Sequence, residues 1–211
     1  MRTWEKYAPD AERWSEKAYA DARTYLSRRA ELVRTLGVRL APGDTVLDLA
    51  CGDGGLGDFL PQQRYLGVDA SREMAQAAHG RGREVVCADL NDYEPPQPVQ
   101  ATLIFRAIYY AQDRRALFDR ISGYTEKKLV FDLNPRQYRL SDVRADVLAA
   151  GFDRLAVRPF FVPQTRALPA AVLAMLRALE RCGPLARLVL RFRFTVLCAA
   201  SRSVGSGRSG S

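Results

Sequence analysis

The sequence predicts an α/β fold built on a doubly wound, mostly parallel sheet. Three observations predict it. Short apolar runs of strand length alternate with helical patterns along most of the chain; the runs are β-branched and aliphatic throughout rather than alternating polar and apolar; and a glycine-rich turn follows the first of them.

The elements can be justified in order. In "PDAERWSEKAYADARTYLSRRAELVRTLG" apolar and aromatic residues recur every three or four positions, which predicts N-terminal helices, with Gly37 as a C-terminal stop. "APGD" is a turn, and "TVLDLA" is a strand of the kind buried in a parallel sheet. After the glycine turn, "LGDFLPQ" begins a helix that Pro61 cuts short. "RYLGVDAS" is a second strand ending at Asp69, and Ser71 caps a helix over "REMAQAAHGRG". "EVVCADL" is a third strand ending at Asp89, followed by the Pro-rich loop "NDYEPPQPVQ". "ATLIFRAI" is a fourth strand with a helix through "DRRALFDRISGY", and "KKLVFDLNP" is a fifth. Ser141 can cap the helix "DVRADVLAAGF", with Gly151 ending it. "FDRLAVRPFFVP" is a sixth strand, Pro169 to about Cys182 a helix, and "LRFRFTVLCAAS" a last strand. The Gly/Ser-rich residues 201–211 read as a disordered tail.

Composition narrows the function classes. The 211 residues suffice for one domain with a sizeable core, at ordinary apolar (47%) and charged (27%) content. "MRTWEKYAPDAERW" is mixed in character, so no secretory signal is read there, and no apolar span reaches membrane-crossing length; a cytoplasmic protein is expected. Cys51, Cys87, Cys182 and Cys198 form no C-x-x-C pair and are read as buried thiols rather than metal ligands. The net charge of +8 comes with arginine in excess of lysine, which suits either an anionic partner or an ordinary Arg-rich surface.

The glycine turn raises the question of ligand. In "VLDLACGDGGLGDFL" Gly52, Gly54 and Gly57 have the G-x-G-x-x-G spacing, which lets backbone approach a ligand where a Cβ would clash. Asp69, seventeen residues past Gly52, is placed to hold two ribose hydroxyls. This much fits a nicotinamide cofactor and S-adenosylmethionine equally. The acids separate them: Asp48 within the turn motif suits a ligand with an ammonium group and would repel a pyrophosphate, and Asp89 ends the third strand.

The run Asp48-x-Ala50-x-Gly52-x-Gly54, together with Asp69, Asp89 and the strand–helix–strand ending, resembles the class I (Rossmann-like) S-adenosylmethionine-dependent methyltransferases over roughly residues 40–200. The resemblance implies a seven-stranded sheet with an antiparallel last strand, an N-terminal helical lid over residues 1–40 and a cofactor-binding domain over 41–200. Carried onto this chain, Ala50, Gly52 and Gly54 lie along the methionine portion and ribose, with Cys51 in the same loop; Asp48 orients the loop and the amino group. Asp69 holds the ribose, Ala70 sits beside the adenine, and Asp89 and Leu90 read its edge. Arg106, Tyr109 and Tyr110, after the fourth strand, stand where members face the methyl group, and Arg106 counts among the cofactor-binding residues as well; core packing is the other reading of the two tyrosines. The fourth strand departs from the family in having Ala101 where an Asp is common.

The reaction this implies is direct methyl displacement onto a small molecule, with S-adenosylhomocysteine as product. Asn134 and Arg136 could line an acceptor pocket, while His79, the only histidine, reads as a surface residue. Trp4, Tyr7, Trp14 and Tyr19 could close a lid. Residues 166–193 place Leu168, Val172, Met175 and Leu179 on one helical face, with Arg177, Glu180 and Arg181 elsewhere and Arg187, Arg191 and Arg193 behind. That pattern fits a core-facing helix, a cover for a lipophilic acceptor or a peripheral membrane contact. Two alternatives stay open: an NAD(P)-dependent oxidoreductase, which lacks a Tyr-x-x-x-Lys pair here, and a non-catalytic methyltransferase-like partner subunit. The absence of an RNA-binding module and of an N-P-P-[YF] motif argues against nucleic acid as substrate.

Overall fold

The computed structural model describes residues 10–183, 186 and 195–202. A short helix α1 (Trp14–Ala18) and a long one, α2 (Ala22–Thr35), precede β1 (Thr45–Leu49). Then follow β2 (Arg64–Asp69), α3 (Arg72–Gly80), β3 (Glu84–Cys87), β4 (Val99–Ile104), α4 (Arg114–Tyr124), β5 (Thr125–Leu133), α5 (Leu140–Ala149), β6 (Arg154–Phe160), α6 (Ala170–Leu179) and β7 (Thr195–Ser201). The seven strands lie in the order β3-β2-β1-β4-β5-β7-β6. β1 to β5 pair in parallel, and β7 runs antiparallel to both β5 and β6. The expected sheet, including the reversed last strand, is the observed one.

The period of two in the strands divides the core between the sheet's two faces. On β5, Leu129, Phe131 and Leu133 meet Phe118 and Ile121 of α4 and Val143 and Val147 of α5 in one cluster. Val130, between them in sequence, faces the other way, in a cluster with Leu26, Ala30 and Val33 of α2. β7 divides likewise, Val196, Cys198 and Ala200 to the first face and Leu197 and Ala199 to the second. With both faces covered, the strands have no polar side to show, which is why they read as unbroken apolar runs.

Four expectations are corrected. The helix after the glycine turn is a single 3-10 turn, Gly55–Phe59, because two glycines lower its helical propensity and Pro61 bars its extension. Helix α5 begins one residue before Ser141, with Arg139 at the N-cap, because Leu140 packs on the core; the Ser141 hydroxyl donates to Asp142 instead. The third strand stops at Cys87, short of Asp89. Of the four thiols, only Cys198 is buried, while Cys87 and Cys182 are exposed. Ser71 does cap α3, accepting a hydrogen bond from the Met74 amide at 3.2 Å. Trp4, Tyr7, Arg187, Arg191, Arg193 and the tail beyond Arg202 lie outside the described residues.

The 166–193 segment is anchored at both ends of its described part. The loop before α6 is clamped to the α1–α2 junction, where the Ala20 amide donates to the Gln164 carbonyl (2.8 Å) and the Gln164 side-chain amide donates to the Ala18 carbonyl (3.0 Å). Behind α6, the buried Glu180 carboxylate accepts from the Phe161 amide (2.9 Å) and pairs with the buried Arg28 of α2. Between these anchors no residue of α6 is buried, and Met175 is 62% exposed. Of the stripe, Leu168, Val172 and Leu179 are half-buried and Met175 is exposed, while Leu173 beside it packs against the α2 side of the core, so the helix faces the core in part and leaves Met175 open. No helix among the described residues is long and apolar enough to cross a membrane.

Candidate functional site

The carboxyl ends of β1 to β4 and the N-terminal helices enclose a cleft of about 480 Å³. In an open parallel sheet this edge is where the chain turns away on both faces and leaves a crevice. Here the crevice opens between β1 and β4, where the strand order reverses.

Its floor is the glycine turn. The Cys51 amide donates to the Val68 carbonyl of β2 (2.9 Å), and the Gly52 amide donates to the Asp69 carboxylate (2.8 Å). The same carboxylate accepts the Ser71 amide (2.9 Å), so Asp69 ties the turn to the start of α3. Gly52 has φ +59°, and a Cβ there would come within 3.0 Å of the Trp14 ring, so the position demands glycine on both counts. Ala50 takes a left-handed conformation as well, at φ +61°. Such strain at the end of a buried strand marks a site held by its surroundings. Asp53 fixes the other side of the turn. Its carboxylate accepts the Ser15 amide (3.0 Å) and hydroxyl (2.5 Å) from α1 and pairs with Arg81 at 3.0 Å.

Asp48 lies beneath the turn, 3% exposed, and accepts from the Tyr65 hydroxyl at 2.7 Å. Burial pushes its carboxyl up to about 7, against the opposing pull of the Tyr65 hydrogen bond and of Arg29, with Asp69 adding repulsion. Burial likewise raises Asp69, opposed by its two amide bonds. Asp89 accepts the backbone and side-chain amides of Asn91, both at 2.8 Å. Asn91 in turn donates to the Tyr110 carbonyl (3.1 Å) and accepts the Gln112 amide (3.0 Å), joining the β3 loop to the 3-10 turn Ile108–Tyr110 and the residues just after it.

The cleft brings together Asp48, Ala50, Cys51, Gly52, Asp69, Ala70, Asp89, Leu90, Arg106, Tyr109 and Tyr110. Gly54 stands apart: its φ is +68°, and a Cβ there would press on Arg83 and Ala78, so it serves the turn and its packing on α3. Tyr109 is 53% exposed and its ring lies 4.3 Å from that of Tyr110. Neither Asn134 nor Arg136 lines the cleft; they form a turn closed by the Arg136 amide donating to the Asn134 side chain (3.0 Å). His79 is exposed at the end of α3. Trp14 and Tyr19 do line the cleft.

Sequence reasoning missed Arg29 and Asp132. Arg29 of α2 is 2% exposed, pairs with Asp132 of β5, and donates to the Tyr25 hydroxyl at 2.9 Å. The other oxygen of Asp132 accepts the Arg106 amide (2.7 Å), holding that residue at φ +54°. The available signal was an arginine on the apolar face of a helix and an acid inside "LVFDL", each a charge where the pattern calls for none.

Residues 46–128 match the family model of a methyltransferase domain. The chain has the Rossmann-like fold of the class I methyltransferases, with the reversed last strand. The domain also resembles solved structures of that fold. A chain of the Haloferax volcanii complex between a methyltransferase activator and a putative methyltransferase aligns with TM-score 0.64 at 20% identity, covering 94% of this chain and 95% of that one. A possible histamine N-methyltransferase of Thermotoga maritima aligns at 0.62 and 15% identity, covering 95% and 98%. The magnesium protoporphyrin IX methyltransferase of Synechocystis, with S-adenosylmethionine bound, aligns at 0.58 and 15% identity, covering 90% and 85%. No curated protein matches the sequence.

Proposed function

We propose that this chain is a methyltransferase that moves the methyl group of S-adenosylmethionine to a small acceptor by direct displacement. The observation that carries the reading is the carboxyl edge of β1 to β3, where the glycine turn and three acids, Asp48, Asp69 and Asp89, share one cleft. The residues present fit the cofactor. The backbone at Gly52 leaves the room that a Cβ would fill, and the volume of about 480 Å³ suits an adenosine-sized ligand.

S-adenosylmethionine supplies an electrophilic methyl carbon on a positive sulfonium. Asp69 would accept the ribose hydroxyls, Asp89 with Leu90 the adenine edge, and Asp48 the environment of the ammonium group. Ala50 and Cys51 would lie along the methionine portion, and Ala70 beside the adenine. Trp14 and Tyr19 would wall the cleft beside the methyl group and Tyr109 would orient the acceptor or pack on the sulfonium, and positioning of this kind supplies most of the acceleration in a displacement without a proton-transfer step. Tyr110 and Arg106 would face the acceptor.

The acceptor is read as small and at least partly lipophilic, supported by the aromatic lining of the cleft. Peripheral membrane contact through 166–193 is supported by the open apolar face of α6 beside the exposed Arg177 and Arg181. A cytoplasmic setting is supported by four cysteines without a disulfide.

Calorimetric titration with S-adenosylmethionine, S-adenosylhomocysteine and NAD tests the reading. Micromolar binding of both sulfur ligands, lost in Asp69→Ala, is expected; binding of NAD alone would return the turn to a dinucleotide role.

A further inference from the structure

Along the carboxyl edge of the sheet, charge changes sign. The strand order places Asp89, Asp69 and Asp48 behind β3, β2 and β1, and then, beyond β1, Arg106 behind β4. Arg106 is half-buried, with its guanidinium 5.6 Å from the centre of the Tyr19 ring and 5.9 Å from that of Trp14. Burial and the neighbouring Arg29 oppose its charge, but a side-chain hydrogen bond with Tyr19 and the fields of Tyr19 and Tyr25 outweigh them, so the surroundings keep it protonated with a neutral partner, not an anion. No carboxylate pairs with the Arg106 side chain among the described residues: Asp132 gives one oxygen to the Arg106 amide and the other to Arg29. Arg29, which also lines the cleft, keeps a buried Nε with no hydrogen-bond partner.

A guanidinium is hard to leave half-desolvated beside a second one without an anion to face. Its backbone is meanwhile held in a left-handed conformation by a buried acid, which fixes the direction in which the side chain leaves the chain. Both facts describe a group positioned for a partner that arrives from outside. The rings of Trp14, Tyr19, Phe105 and Tyr109 line the same cleft and offer flat apolar surface beside it.

We propose that the β4 side of the cleft is an anion site for the methyl acceptor, in which Arg106, backed by Arg29 and Tyr19, receives a carboxylate carried on a flat, aromatic body. The proposal rests on the methyltransferase reading above and narrows its acceptor from small and lipophilic to small, aromatic and acidic. The chemistry follows from the fork of the guanidinium, which takes a carboxylate through two parallel hydrogen bonds.

The test uses benzoate and its neutral counterpart benzamide, titrated by calorimetry into the full chain with and without saturating S-adenosylhomocysteine. Benzoate is expected to bind about tenfold more tightly than benzamide, a preference that Arg106→Gln abolishes and Arg106→Lys only partly restores. A parallel titration compares S-adenosylhomocysteine with methylthioadenosine, which lacks the amino-acid portion. If Arg106→Gln weakens S-adenosylhomocysteine selectively and leaves methylthioadenosine alone, the site serves the cofactor's own carboxylate and the proposal falls. Equal binding of benzoate and benzamide to the wild-type chain overturns it too. Failure of S-adenosylhomocysteine to bind wild type would strike the methyltransferase reading instead, and the titrations without it still decide whether the anion site exists.

Discussion

Asp48 behaves as a weak acid because the fold buries it. Its carboxyl, near 4 in an unfolded chain, is pushed up to about 7. Below about pH 4 both states hold the proton; as pH rises from there toward 7, the unfolded chain releases a proton that the native state keeps. Stability from this group therefore falls through that window and stays low above it. Asp48→Asn keeps an acceptor for the Tyr65 hydroxyl and removes the titration. The variant should melt above wild type at pH 8, by about 2 kcal/mol more than at pH 5, as thermal unfolding at the two pH values would show. It should also bind S-adenosylmethionine less well, since stability and ligand recognition ask opposite things of this carboxylate. Asp69 differs, because its oxygens already hold the Gly52 and Ser71 amides. Asp69→Asn exchanges an acceptor for a donor and should cost roughly ten- to hundredfold in cofactor affinity, measured by calorimetry. These acids were legible because each sits at a fixed distance from a glycine turn or a strand end. The Arg29–Asp132 pair was not, since its members are 103 residues apart and meet only when α2 lies over β5.

Among the elements, α6 and the glycine turn show where a local pattern does and does not suffice. The periodicity of "LPAAVLAMLRALE" correctly indicated a helix, yet periodicity says only that a stripe exists, not what covers it. What holds the helix is Glu180, whose partners Arg28 and Phe161 come from α2 and the end of β6. Glu180→Ala leaves Arg28 buried with only the half-exposed Glu31 at 2.7 Å, and should destabilise the chain by about 3 kcal/mol in denaturant unfolding. Met175→Glu, on the open face, should leave the unfolding midpoint nearly unchanged and abolish co-sedimentation with anionic vesicles if 166–193 touches a membrane. The turn after β1 misled in the other direction: an apolar, helix-like run became one 3-10 turn, and its Gly55 is there because a Cβ would strike the Ser15 hydroxyl where α1 docks on Asp53. That contact spans 38 residues and has no trace in the local sequence.

At the scale of the whole molecule, alternation of strand and helix was enough to read a doubly wound parallel sheet, while the reversed last strand was implied only by the family resemblance and is what the structure shows. The net charge of +8 told less, since the arginines that matter are single, buried and placed by tertiary contacts. The strand order also sets an uneven mechanical footing for the cleft. β3 is an edge strand of four residues, three of them exposed, whereas β4 and β5 lie deep in the sheet. Local opening should thus begin on the side that carries Asp89, with amide exchange at Val85–Cys87 faster than at Thr102–Ile104 by hydrogen–deuterium exchange. A ligand bridging Asp69 and Asp89 would stitch this loose margin to the rigid centre. The largest gain in protection should then fall on β3 and not on the strands that hold the anion site, so exchange alone would tell which half of the cleft a given ligand occupies.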